Sequence, residues 1–81
     1  MEKFRTPEHL KAQLTVVRWH LHAAASVDSR NARRHLDSAV LTYQGALELL
    51  ERLALPDEER AAMLSQLEEL RELLRAAGQA V

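Results

Sequence analysis

Residues 39–59 have the sequence AVLTYQGALELLERLALPDEE, which contains the most regular apolar pattern of the chain and its clearest helix boundary. Spacings of four and three residues place the following apolar side chains on one face of an α-helix: Ala39, Tyr43, Ala46, Leu50 and Leu53. Pro56 ends this helix at or before Leu55 and opens another, because proline cannot continue a helix but is tolerated in a first turn. The stretch therefore predicts two helices joined by a short connection.

The same spacing continues on both sides of this stretch. An earlier stripe comprises Leu10, Leu14, Val17, Leu21 and Ala24, and a later one comprises Met63, Leu67, Leu70, Leu74 and Ala77. We predict helices over residues 7–26, 29–54 and 57–77, with Thr6 as the first cap. A chain of 81 residues has room for one domain, here residues 1–81. Short connections make consecutive helices antiparallel, so the predicted fold class is all-α, a compact antiparallel three-helix bundle.

The first boundary is the less clear of the two. Residues 26–31 are rich in Ser, Asp and Asn, which favour caps and turns, but they include neither Gly nor Pro. The alternative is a single helix through this segment, which would convert the bundle into a long helical hairpin. The predicted buried set is Leu14, Leu21, Leu36, Tyr43, Leu50, Leu67, Leu70 and Leu74.

Composition excludes several classes of protein. The chain contains no cysteine, so disulfide scaffolds, thiolate catalysis and cysteine-based zinc sites are excluded. No run approaches the roughly 20 apolar residues that span a bilayer, and the N-terminus lacks the apolar core of a secretory signal. These observations predict a cytoplasmic protein without a membrane partner.

The residues that carry chemistry do not form a recognisable catalytic or metal-binding motif. His20 and His22 are two residues apart and point to different sides of a helix, while His9 and His20 are separated by roughly 16 Å along it. His35 has no local partner. Only two glycines occur, so a phosphate-binding loop is absent. We therefore expect no enzyme activity, no metal, no cofactor and no small-molecule substrate.

Charge is distributed unevenly along the chain. Residues 1–38 carry a formal charge of +3 and residues 39–81 a charge of −4. Arg30, Arg33 and Arg34 lie on one face at the start of the second helix, at spacings of three and four residues. A pI of 6.4 is low for a nucleic-acid-binding domain, which argues against nucleic acid as the partner. The alternatives are a solvated face, an acidic protein partner, or a nucleic-acid-associated accessory protein.

The stretch from Ala39 resembles the helical hairpins of tetratricopeptide-like domains and of microtubule-interacting-and-trafficking (MIT) domains. The shared pattern is A-x-x-x-Y-x-x-A-L at Ala39, Tyr43, Ala46 and Leu47, followed by a proline-led third helix over about residues 39–59. MIT domains are three-helix modules of about this size. The resemblance implies binding of a partner helix in a groove between helices.

The apolar stripes are wider than one thin bundle needs to fill its core. We expect some apolar side chains to stay exposed and available to a partner. These are Val16 and Trp19 on the first helix, Leu41 and Leu49 on the second, and Leu64 and Leu73 on the third. The sequence thus favours a non-catalytic interaction module (adaptor, chaperone-like or regulatory) that forms a homodimer or binds a partner helix. The alternative is a nucleic-acid accessory protein that uses the arginine face.

Overall fold

The computed structural model describes residues 7–81, and of Ser29 only the backbone. It contains three α-helices: α1 (Pro7–Ser26), α2 (Ser29–Arg52) and α3 (Asp57–Ala76). No strand occurs among residues 7–81. The predicted all-α class is therefore confirmed, and the helices end within two residues of the predicted positions. The cap predicted at Thr6 lies outside the described residues.

A single aspartate makes the break between the first two helices. Asp28 is extended, with φ −66° and ψ 167°, and its carboxylate accepts a hydrogen bond from the backbone N–H of Asn31 at 3.0 Å. This bond satisfies one of the N–H groups that the first turn of α2 leaves unpaired. The alternative of one continuous helix through residues 26–31 is therefore wrong.

The helices run antiparallel in chain order. Gln13 lies opposite Gly45 and His20 opposite His35, so α1 and α2 pair from the connection outward. Arg60 on α3 reaches back to the end of α2, where it donates to the carbonyls of Leu50 and Leu53. α1 and α2 form the most extensive pair, and α3 packs against both of them. The molecule is thus a close helical hairpin with a third helix across one side.

One continuous core joins the three helices. Its members are Leu10, Leu14, Val17, Ala39, Tyr43, Ala46, Leu49, Leu50, Leu53, Met63, Leu67, Leu70 and Leu74. Six of the eight residues predicted to be buried are among them: Leu14, Tyr43, Leu50, Leu67, Leu70 and Leu74. Apolar spacing identified the inward face of every helix, because burial follows the same period as the helix itself.

Leu21 and Leu36 depart from the predicted buried set, since both are only partly buried. They lie toward the α1–α2 connection. Tyr43 shares a cleft with Arg71 of α3, and Leu36 is two turns nearer the connection, opposite the end of that helix. Helix α3 therefore does not extend far enough to cover these two leucines, and they have packing neighbours on fewer sides.

The prediction that Leu49 remains exposed for a partner is wrong, because its side chain is only 7 % exposed. Leu49 lies three residues after Ala46 and four before Leu53, both of which are buried. It therefore continues the inward face of α2. This middle helix has two neighbours, so its buried face is wider than the central line of the apolar stripe suggests.

Replacing Gly45 by alanine is expected to raise the free energy of unfolding by roughly 0.5–1 kcal/mol. A Cβ added at Gly45 would meet only the side-chain nitrogen of Gln13, at 3.6 Å, which is an ordinary van der Waals contact. The packing of α1 against α2 at this point therefore does not require glycine, and alanine restricts the unfolded chain more. Urea denaturation of the two proteins measures the difference.

Gly78→Ala provides the opposite control. Gly78 follows α3 with φ +87°, a conformation that costs an L-residue roughly 1–2 kcal/mol. We expect this substitution to lower the urea midpoint while Gly45→Ala raises it. A fall in both variants would mean that the α1–α2 approach at Gly45 is tighter than the structure indicates.

Candidate interaction surface

The α1–α2 hairpin has one side that α3 leaves open. Arg18 marks the side of α1 that faces α3, because its guanidinium lies 3.5 Å from Gln66 Oε1 and 3.9 Å from Glu69 Oε2. The opposite edge of α1 carries Gln13 and His20, which both face α2. A helical spacing of three and four residues places Val16 between these two on the same edge. Val16 therefore lies on the side of the hairpin away from α3.

Three apolar side chains are exposed on this side. Val16 is 41 % exposed, Trp19 59 % and Leu41 70 %. Trp19 is three residues from Val16 on α1, and Leu41 is one turn before Gly45 on α2. A large exposed ring beside exposed aliphatic groups is typical of contact sites, since such groups gain most when a partner removes them from water.

Basic side chains continue the same surface toward the start of α2. Arg30, Arg34 and Leu41 are separated by four and seven residues, so they lie along one line of the helix, and Arg33 lies off this line. All three arginines are exposed, and none forms an ion pair within residues 7–81. We call the set Val16, Trp19, Arg30, Arg34 and Leu41 the outer face.

Trp19 of the outer face forms a cluster of three rings with His20 and His35. The Trp19 ring meets His20 edge-on at a centroid distance of 4.9 Å and His35 at 5.3 Å. His20 Nδ1 and His35 Nδ1 are 2.9 Å apart. Burial lowers the pKa of His20 below its ordinary value near 6.5, and the proximity of His35 lowers the pKa further. The cluster therefore links α1 to α2 through an imidazole–imidazole hydrogen bond.

Spacing within a single helix does not reveal this pair, because His20 and His35 lie on different helices. The signal was present in the hairpin register. His20 is eight residues before Asp28 and His35 is seven after it. Residues at similar distances from the connection lie opposite each other in an antiparallel hairpin, so the break point would have predicted their contact.

The remaining residues proposed for a partner are placed differently. Leu49 is buried, as described above, and Arg33 is exposed on another side of α2, about 100° around the helix axis from Arg34. Leu64 and Leu73 are exposed on α3, away from the outer face. Leu73 borders a shallow cleft with Ser65, Glu68, Glu69 and Glu72. Of the predicted partner-binding residues, the structure thus brings Val16, Trp19, Arg30, Arg34 and Leu41 to one side.

Comparisons of the chain with protein-family models, curated proteins and solved structures give no match. No group of three or more His, Asp or Glu side chains with the spacing of a metal site occurs among residues 7–81. None of the three described helices is both long enough and apolar enough to cross a membrane.

Proposed function

We propose that the protein is a small non-catalytic interaction module, and that its outer face binds an amphipathic helix with acidic residues on a partner protein. The observation that carries the proposal is the exposure of Trp19, Val16 and Leu41 together on the open side of the hairpin. A helix seated there would be the fourth member of a bundle and would cover this apolar surface.

The charges around these apolar groups support an acidic partner. Arg30 and Arg34 continue the line of Leu41 and have no carboxylate partner among the described residues. Complementary charges at the rim of an interface increase association rates and select among partners. A symmetric homodimer through the same face would bring two arginine clusters onto one interface, so the same charges oppose it.

The test uses two labelled model peptides with the same leucine-lined helical face, one with glutamates and one with lysines on the polar face. Fluorescence anisotropy should show tighter binding of the acidic peptide, with an advantage that decreases as salt is added. Trp19→Ala should weaken binding on the order of 30-fold, the size of a contact that contributes at least 2 kcal/mol. Leu64→Ala on α3 is the matched control and should bind normally.

Three results would contradict the proposal. Equal binding of the two peptides would remove the role of the arginines, and normal binding by Trp19→Ala would move the site elsewhere. Tight binding of a DNA duplex with a steep salt dependence, and no peptide binding, would favour the nucleic-acid alternative. Sedimentation equilibrium is expected to show a monomer, whereas a dimer that Trp19→Ala abolishes would make a second copy the partner.

A further inference from the structure

His20 and His35 present two imidazole nitrogens at a separation that matters for metal binding. Their Nδ1 atoms, one from α1 and one from α2, are 2.9 Å apart, and the ring planes differ by 43°. Nitrogens this close must share a hydrogen or a bound cation, because two lone pairs repel each other. In the hydrogen-bonded pair one ring carries Nδ1–H and donates, while the other carries Nε2–H and accepts.

We propose that His20 and His35 form a two-histidine site for a divalent transition-metal ion, and that Cu²⁺ is the best match. At a metal–nitrogen distance of about 2.0–2.1 Å, nitrogens 2.9 Å apart subtend about 90° at the ion. This is the angle between neighbouring ligands of a tetragonal site, the geometry that Cu²⁺ prefers. A tetrahedral zinc site would require a separation of about 3.3 Å.

Binding changes the tautomer of one ring and not its charge. The donor ring must carry its proton on Nε2 instead of Nδ1, so that both Nδ1 lone pairs point at the ion. The proton moves from Nδ1 to Nε2 through solvent. No third His, Asp or Glu completes the site within residues 7–81, so water fills the other positions. These positions remain open to a ligand from outside the chain.

The bound ion would also stabilise the packing of α1 against α2. Its two protein ligands come from different helices, and the pair is assembled only when α1 lies against α2. If the ion binds only the folded chain, a free ion concentration of ten times the Kd increases the folded-to-unfolded ratio by up to about 11-fold. Metal binding at His20 and His35 requires no partner protein. It can therefore be tested independently of the function proposed above.

Trp19 provides the readout, because it is the only tryptophan of the chain and its ring contacts both histidines. Titration of the full chain with Cu²⁺ should quench Trp19 fluorescence and saturate at one equivalent. His20→Gln and His35→Gln should each weaken this binding at least about tenfold, since each removes one of the two ligands that residues 7–81 supply. His22 is an exposed histidine on α1, the helix that carries His20, and the His22→Gln variant should bind Cu²⁺ as tightly as the original protein does.

Electron paramagnetic resonance and urea denaturation complete the test. The Cu²⁺ spectrum should show coupling to nitrogen that both His20→Gln and His35→Gln reduce, and the urea midpoint should rise with Cu²⁺ only when both histidines are present. Circular dichroism checks that the variants fold. Quenching that persists in both variants, or equal sensitivity to His22→Gln, would overturn the site. Tighter binding of Zn²⁺ than of Cu²⁺ would overturn the tetragonal geometry.

Discussion

Leu70→Ala is expected to lower the free energy of unfolding by about 2–5 kcal/mol. Leu70 is fully buried on α3, in the core that holds this helix against the α1–α2 hairpin. Removing its branched end forfeits the transfer free energy of the lost carbons and leaves a cavity that the helices cannot close completely. For 81 residues a total stability of roughly 4–12 kcal/mol is typical, so the loss is a large share of it.

The urea midpoint measures this loss, and Leu73→Ala is the matched control. Leu73 has the same side chain and lies only three residues further along α3, but it is 52 % exposed. Its substitution should change the free energy of unfolding by no more than about 0.5 kcal/mol. Equal midpoints for Leu70→Ala and the original protein would mean that α3 does not pack through the face assigned to it.

Arg60→Met is expected to lower the free energy of unfolding by about 1.5–3 kcal/mol, the range of hydrogen bonds made by charged groups. The guanidinium of Arg60 donates to the carbonyl of Leu53 at 2.6 Å and to that of Leu50 at 3.3 Å. Carbonyls in the last turn of a helix have no partner within it, and the helix dipole favours a positive charge beside them. Arg60 therefore joins α3 to the end of α2.

Differential scanning calorimetry should show a decrease in Tm of roughly 4–8 °C for each kcal/mol lost. Arg52→Met is the control, because Arg52 is exposed in the last turn of α2 and carries the same charge at the same helix end. Arg60→Lys keeps the charge but not the two-pronged donor, and it should fall between Arg60→Met and the original protein. If Arg52→Met and Arg60→Met lose the same stability, the charge alone stabilises this end of α2.

Much of the fold follows from local patterns in the sequence. Pro56 marks the start of α3, and the apolar spacing around Leu67 and Leu70 identifies the side of that helix that becomes buried. These features depend on backbone geometry within a few residues, which a sequence displays directly. The same is true of Trp19 and Leu41, whose exposure follows from their positions off the centre of the apolar stripes.

Which residues of different helices meet was decided by the tertiary structure. His20 and His35 carry no motif, and they are brought together only by the hairpin register that the cap at Asp28 starts. In the sequence Arg60 resembles any polar residue of a first helical turn. Its role follows from the folded structure, which places the last carbonyls of α2 within hydrogen-bonding distance of its guanidinium.

The extent of burial was decided at the same level. Leu49 lies at the edge of its apolar stripe and is buried only because the neighbouring helices approach closely. Leu36 lies nearer the centre of the stripe but is only partly buried, because it is opposite the end of α3. Sequence period determines the direction in which a side chain points along its own helix. Contact and burial depend also on the position, length and rotation of the neighbouring helix, which no local pattern contains.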